Sequence, residues 1–349
     1  LAPQAGVEYH GLSITGFDRS RPWTLLTGGI RTLFSAVKAW FLLGRLRADV
    51  VIGFGAYVSL PVAFAAFVRR VPLVIHEQNS VPGLANRVLS RFADAVAITY
   101  ECSKEHFARP ERAVLTGNPV RADVLGSSRA SGREWLGLTE ECLVLLVFGG
   151  SRGARHLNSA VVALKDALLA MGGLHVIHVA GPAEADEVRA ALAGGSEAGG
   201  DVGGGEAVAS DGASDTDAGG RWRVYDYLDD MGKALAASDL VLCRAGATTL
   251  AELTALGVPA VVVPYPHATD DHQSKNAAAA VEAGAVVSVE DSELDGDRLA
   301  AELTALLGDE SLRATMSAAS RMLGRTDAAE RVAVLVGDVY RDRRMRTKR

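Results

Sequence analysis

Short runs of Val, Ile and Leu alternate along the chain with longer stretches whose apolar residues recur at helical spacing, the pattern of a parallel sheet covered by helices on both faces. The class it predicts is α/β. Buried strands are expected at Val50 to Gly53, Leu73 to His76, Ala95 to Thr99, Leu143 to Phe148, Val176 to Ala180, Leu240 to Cys243 and Ala260 to Val263. In sheets of this kind functional residues lie just past the carboxyl ends of the strands. One theme occurs twice. Asp49 to Ala56 and Asp239 to Gly246 each read as a strand, a glycine turn and a helix, leading to Val71-Pro72 and Val258-Pro259, which open the next strand. Two similar doubly wound domains follow from this, with the change-over between Arg121 and Glu140, where Gly126 to Gly132 reads as a linker.

Composition supports that division. A chain of 349 residues, 48% hydrophobic and 22% charged, is long enough for two domains and too apolar for wholesale disorder. Three scattered cysteines, Cys102, Cys142 and Cys243, exclude a disulfide-stapled scaffold, point to a reducing compartment and form no zinc set. No run reaches the roughly 18 to 20 apolar residues needed to span a bilayer. The net charge of −6 sits in residues 194 to 220, which hold six carboxylates, no Lys or Arg and 10 of the 37 glycines. The rest of the chain is neutral, so no basic partner is implied, and the stretch itself reads as a disordered surface loop.

The chemistry is concentrated after the strands. Leu143-Val-Leu-Leu-Val-Phe-Gly-Gly-Ser-Arg-Gly-Ala154 is a strand entering a glycine turn that opens a helix, with Ser151 near the helix N-terminus. Free N–H groups and the helix dipole favour an anion there, and glycine lets a phosphate come close. The turn lacks both the Gly-Lys-Ser/Thr of nucleoside triphosphatases and the dinucleotide Gly-x-Gly-x-x-Gly. Arg244-Ala-Gly-Ala-Thr-Thr-Leu-Ala-Glu252 repeats the device: Thr248 and Thr249 offer hydroxyls to a phosphate, and Glu252 is placed to accept both hydroxyls of a ribose. Two such turns and a carboxylate point to a nucleotide diphosphate.

Tyr265 to Asn276 carries His267, Asp270, Asp271 and His272, but no Cys/His set completes a metal site, and Gln273 suits sugar hydroxyls. In the first half, His76-Glu77-Gln-Asn79 follows an apolar strand, with His76 or Glu77 as candidate general base. Thr116-Gly-Asn-Pro-Val-Arg121 follows another short strand, and Arg121 can neutralise a phosphate leaving group.

Five motifs in order, His76-Glu-Gln-Asn79, Gly117-Asn-Pro-Val-Arg121, Gly149-Gly-Ser151-x-Gly-Ala154, Tyr227-Leu-Asp-Asp-Met231 and Arg244-x-Gly-Ala-x-Thr-x-x-Glu252, closely resemble those of the MurG family. These bacterial transferases move N-acetylglucosamine from UDP-N-acetylglucosamine to undecaprenyl-pyrophosphoryl-N-acetylmuramoyl pentapeptide, converting lipid I to lipid II for peptidoglycan, a step tied to cell shape and division. The likeness runs from about Gly6 to about Tyr340. It implies a GT-B architecture: residues 1–121 as an acceptor and membrane domain, 122–325 as the UDP-N-acetylglucosamine domain with the donor between them, and a final helix, 326–349, packing back on the first domain. Position by position, Asn79, Arg121 and Arg244 fall on donor-site residues, Ser151 on the diphosphate loop, and Leu228 on the residue whose backbone meets the uracil. The run Ala247, Thr248, Thr249, Leu250, Ala251 and Glu252 falls on the segment for phosphates and ribose, and Gln273 on the glutamine that reads the sugar.

The resemblance also implies an inverting displacement without metal or other cofactor. It expects an opening strand and a Gly-Gly-Thr-x-Gly-His loop that have no counterpart after Leu1, leaving the active site incomplete in this sequence. The first glycine loop, Gly53-Phe-Gly-Ala-Tyr-Val-Ser-Leu-Pro61, departs from the family's Gly-Gly-Tyr-Val-Ser-Gly-Pro.

An acceptor on a polyprenyl chain is met at the bilayer. Residues 18 to 47 set Arg19, Arg21, Arg31, Lys38, Arg45 and Arg47 among large apolar side chains such as Trp23, Ile30, Phe34, Trp40 and Phe41, a basic amphipathic segment suited to the anionic cytoplasmic face of the plasma membrane, where cell-wall synthesis proteins are partners. Nucleic acid is not, since aromatics are 6% and no binding motif occurs. Two rivals stay open: another UDP-sugar enzyme of the same architecture, such as a 2-epimerase or a glycolipid glycosyltransferase, and a non-catalytic UDP-sugar-binding module.

Overall fold

The computed structural model describes residues 6–12, 23–150, 154–194, 214–215, 220–268 and 271–347, with backbone conformation alone at 23–31, 214–215 and 346–347. The chain forms two compact units, Leu1–Asn118 with Asp327–Arg349, and Pro119–Thr326.

The first unit carries a parallel sheet in the order β1-β2-β3-β4, from Val51–Gly53, Leu73–Glu77, Ala95–Ile98 and Ala113–Leu115. Helices α1 (Trp23–Leu46), α2 (Ser59–Val68) and α3 (Leu84–Leu89) belong to it. Its core is built from Leu73, Ile75, Val96 and Ile98 of the strands with Ala39, Leu43, Ala63, Ala65 and Ala66 of the helices.

In the second unit the helices are α4 (Ala122–Leu125), α5 (Arg129–Leu136), α6 (Arg155–Ala163), α7 (Lys165–Leu169), α8 (Ala185–Ala193), α9 (Met231–Ala237), α10 (Ala247–Leu256), α11 (His272–Glu282), α12 (Asp297–Gly308) and α13 (Glu310–Leu323). The strands are β5 (Leu143–Phe148), β6 (Leu174–Val179), β7 (Ser214–Asp215), β8 (Trp222–Tyr225), β9 (Leu240–Arg244), β10 (Ala260–Val263) and β11 (Val286–Ser288), in the sheet order β11-β10-β9-β5-β6-β8-β7. All pairings are parallel except β7 with β8. Strands β5, β9 and β10 are almost wholly apolar because both faces are covered. One face is packed by Leu157 and Val161 of α6, Val188 of α8 and Leu299 of α12, and the other by Leu136, Leu235, Leu250 and Ala277 of α5, α9, α10 and α11. The last helix, α14 (Ala328–Thr347), belongs to the first unit and buries Ala328 and Val332.

All seven strands expected from the hydrophobic runs form, with ends displaced by at most two residues. Strands β8 and β11 carry too few apolar residues to stand out in the sequence. The segment read as a disordered loop, 194–220, lies outside the described residues apart from Gly194, β7 and Gly220. One expectation is corrected: Gly126 to Gly132 is no linker. Ser128 and Ser131 cap α5 reciprocally, each hydroxyl accepting the other's backbone N–H, and the helix packs on α9. A Cβ on Gly132 would lie 2.3 Å from the Lys233 carbonyl oxygen of α9. Gly132→Ala is therefore expected to destabilise the protein by about 1–3 kcal/mol in denaturant titration, whereas a linker glycine would tolerate alanine or gain from it.

Candidate functional site

The strand order of the second unit reverses between β5 and β9. From β5 the chain proceeds to β6 and β8 on one side, and from β9 to β10 and β11 on the other. Loops leaving the carboxyl ends of two such strands part to opposite faces and open a crevice, the place where ligands bind in open α/β sheets. Both glycine turns lie there. After β5, Gly150 has φ +83°, and a Cβ on Gly149 would fall 1.9 Å from the Ala154 Cβ, so no side chain fits where the turn closes onto α6. Ser151 lies outside the described residues. After β9, Gly246 precedes α10, whose first turn exposes Thr248, half-buries Thr249 and buries Ala247. Leu250 packs inward and Ala251 is half-buried.

Glu252 follows one turn later and is 8% exposed. Burial raises its carboxyl pKa, the Arg121 guanidinium at 3.9 Å opposes that rise, and Asp123 adds to it. Arg121 also reaches Asp123 at 3.4 Å and remains half exposed. Arg244 is almost buried, with its Nη1 2.5 Å from Asp291 and its guanidinium 5.6 Å from the Tyr265 ring. Gln273 accepts the Tyr265 backbone N–H at 2.9 Å, which leaves its –NH2 as the end able to meet a ligand. Leu228 is buried in the loop after β8. Arg121, Arg244, Ala247 to Glu252 and Gln273 thus belong to one sheet edge and its flanking loops. A cavity of about 710 Å³ lies elsewhere, at the opposite edge beside Asp239, Pro259, Arg313 and Arg321.

In the first unit His76 and Glu77 end β2 and are both buried. Glu77 accepts four hydrogen bonds: from the Asn79 backbone and side chain at 2.9 and 3.3 Å, from the Gly83 N–H at 3.2 Å and from Asn86 Nδ2 at 2.8 Å. Both nitrogens of His76 are committed, Nε2 donating to the Gly117 carbonyl at 3.0 Å and Nδ1 accepting from Gln78 at 3.1 Å. Those partners require the neutral ring protonated at Nε2, and burial lowers its pKa. Gln78 also donates to the Phe54 carbonyl, tying the first glycine loop to the histidine.

The same unit bears an inverted helix pair. Along the described part of α1, Ala36, Ala39 and Leu43 face inward while Leu33, Phe34 and Phe41 are more than 60% exposed. Helix α2 likewise buries Pro61, Ala63, Ala65 and Ala66 and presents Phe64, Phe67 and Val68. Small residues on the inner side let the helices approach closely and leave the aromatics outside. Of these, Phe64 and Phe67 line an apolar cavity of about 340 Å³ with Leu33, Leu60, Val88 and Phe92. Lys38 and Arg45 of α1, Arg70 just after α2 and Arg91 just after α3 are exposed. No helix of the described residues is long and apolar enough to cross a membrane.

Comparison with known proteins places this geometry. The glycosyltransferase family 28 C-terminal domain matches residues 144–332, and the family's N-terminal domain matches residues 1–98. The UDP-N-acetylglucosamine--N-acetylmuramyl-(pentapeptide) pyrophosphoryl-undecaprenol N-acetylglucosamine transferase of Desulforudis audaxviator is 38% identical over 96% of this chain and 86% of its own length. The chain belongs to the MurG family of glycosyltransferase family 28. A second MurG-family transferase, from Halothermothrix orenii, is 35% identical over 97% of the chain and 87% of its own length. Acinetobacter baumannii MurG superposes with a TM-score of 0.68 at 27% identity, covering 97% of this chain and 87% of that one. A putative UDP-N-acetylglucosamine 2-epimerase from Listeria monocytogenes (TM-score 0.63, 16% identity, 95% and 83% coverage) shares the fold alone.

Three polar residues of this MurG-family chain went unnoticed in the sequence: His156, Asp291 and Asp295, joined from segments up to 139 residues apart and linked to Arg244 through Asp291. No spacing rule links them. The histidines also differ sharply in environment. Asp291 and Asp295 hold the His156 pKa above its ordinary value, whereas burial lowers His76 and brings His178 to about 3. Side-chain NMR near pH 6.5 is expected to show His156 mostly protonated and His76 and His178 neutral. Below that pH the unfolded chain takes up protons that folded His76 and His178 refuse. Their contribution to stability is complete above about pH 6.5 and is lost as pH falls toward their folded pKa values, which chemical denaturation across that range will register.

Proposed function

We propose that the chain transfers N-acetylglucosamine from UDP-N-acetylglucosamine to lipid I, giving lipid II and UDP, the reaction for which its 35–38% identical relatives are named. The observation that carries this reading is the pair of glycine turns at the switch point between β5 and β9, with Glu252 buried behind the second. In this reading the helix N-termini and Arg121 take the diphosphate, Thr248 and Thr249 add hydroxyl donors, Glu252 accepts the ribose hydroxyls, the Leu228 backbone meets the uracil, and Gln273 reads the sugar. The acceptor's 4-hydroxyl attacks the anomeric carbon as the bond to the diphosphate oxygen breaks, so the configuration inverts and UDP leaves with the electron pair. Arg121 and the two helix dipoles supply positive potential where that negative charge grows.

His76 and Glu77 serve best as positioning residues. Every lone pair and proton they offer inward is already engaged, and their bonds set Asn79 and the Gly53–Tyr57 loop. The proton of the acceptor hydroxyl goes to another group.

The acceptor's lipid tail fixes where the reaction occurs. The aromatic face of α1 and α2, rimmed by Lys38, Arg45 and Arg70, rests on the anionic cytoplasmic surface of the plasma membrane. Each inserted Phe contributes about 1.5–3 kcal/mol and each base near the headgroups about 1 kcal/mol.

Calorimetry with UDP-N-acetylglucosamine is expected to show binding that Glu252→Ala weakens about 10- to 100-fold, through loss of hydrogen bonds to a charged acceptor. Unchanged affinity in that variant would remove Glu252 from the site. Free N-acetylmannosamine released without lipid would identify an epimerase instead. On vesicles, Phe64→Ser with Phe67→Ser is expected to lower binding at least tenfold on phosphatidylglycerol. Equal binding to neutral phosphatidylcholine by the parent chain would contradict the membrane assignment.

A further inference from the structure

The edge that carries the candidate donor site is backed by three polar residues, His156, Asp291 and Asp295, to which no ligand contact has been assigned. His156 stands in the first turn of α6, and each ring nitrogen faces a carboxylate: Nδ1 is 2.8 Å from Asp291 Oδ2 and Nε2 is 2.9 Å from Asp295 Oδ2. Asp291 is the hub. Its other oxygen accepts from Arg244 Nη1, which also lies 3.4 Å from the Val263 and Pro264 carbonyls. Arg244 lies against the ring of Tyr265, whose backbone N–H holds Gln273. The segments after β5, β9, β10 and β11 are thereby linked along one sheet edge.

Among the described residues, the charged groups around His156 are few. The segment after β11 brings Asp291, Glu293 and Asp295. On α6 itself, Arg155 turns toward Glu184 at 4.0 Å and Glu187 at 3.8 Å, at the start of α8. From α7, Lys165 is committed to the Leu192 carbonyl. Arg244 reaches the histidine only through Asp291.

We propose that His156 is a positioning residue for the donor: doubly protonated, it fixes Asp291, which fixes Arg244, which keeps the 244–246 turn and the Tyr265–Gln273 contact in the geometry that binds a nucleoside diphosphate sugar. The proposal rests on the reading of this edge as the donor site. Two facing carboxylates favour the imidazolium, in line with the raised pKa of His156. A neutral imidazole has a single N–H and can serve only one of the two carboxylates, so donor affinity falls as pH rises through the titration of His156.

Two substitutions separate positioning from mere structural support. Asparagine at 156 places an amide donor near the position of Nδ1, toward Asp291, whereas glutamine extends its donor to the position of Nε2, toward Asp295. Both remove the cation. Calorimetry with UDP-N-acetylglucosamine over about pH 5.5 to 8.5 is expected to show a parent affinity that declines at high pH, with the decline absent from both variants. At every pH His156→Asn, which keeps the bond toward Asp291 without the cation, should bind about as the parent does at high pH, and His156→Gln should bind about three- to tenfold more weakly than that. Equal affinities in the two variants, at whatever level, would overturn the proposal, as would a parent whose pH profile matches theirs. A folded parent that fails to bind the donor at any pH would overturn the donor-site reading and this proposal with it. Tight parent binding with indistinguishable variants would overturn this proposal alone.

Discussion

The register between β5 and β9 is the constraint on which the candidate site depends. Leu145 pairs with Leu240 and Phe148 with Cys243, so Gly149 and Arg244 leave their strands side by side. Asp239 sets that register from the other end. Its carboxylate accepts the Val144 N–H at 2.7 Å, its own N–H donates to the Val144 carbonyl at 2.9 Å, and its two oxygens are braced by Arg129 and Arg133 at 2.8 Å each. A slip of one residue would turn each buried side chain of β9 to the opposite face and carry its turn about 3.3 Å away from its neighbour. One half-buried carboxylate at the amino-terminal edge therefore sets the spacing of the two candidate anion-binding turns at the carboxyl-terminal edge.

The first unit solves a different problem with the opposite side-chain logic. Alanines are spent on the inside of α1 and α2 and aromatics on the outside, an arrangement that water disfavours and a bilayer surface rewards. Near the sheet, the polar groups do the reverse of what their titratable chemistry suggests. Glu77 is saturated by amide donors and His76 is held neutral, so both act through the loops they anchor.

Most of this fold was legible because parallel strands buried on both faces leave uninterrupted apolar runs, as Leu143 to Phe148 and Ala260 to Val263 show. The glycine turns were legible for a similar reason, since close backbone approach at Gly149 admits no other residue. Shorter edge elements such as Val286–Ser288 were not, having too few residues to form a pattern. The Ser- and Gly-rich run at 126–132 misled because reciprocal serine capping and a tight helix crossing use the same residues as a linker. The chain from Asp295 through His156 and Asp291 to Arg244 could not be read at all, because its members meet only once four strands have been laid in order.

We place the donor across the two turns at the switch point. Backbone amide NMR on the intact chain during titration with UDP-N-acetylglucosamine tests it most directly. Gly149, Gly150 and Gly246 to Thr249 should shift with a common dissociation constant while Gly257 and Arg321, beside the large cavity at the opposite edge, stay still. Shifts confined to that opposite edge would contradict the account.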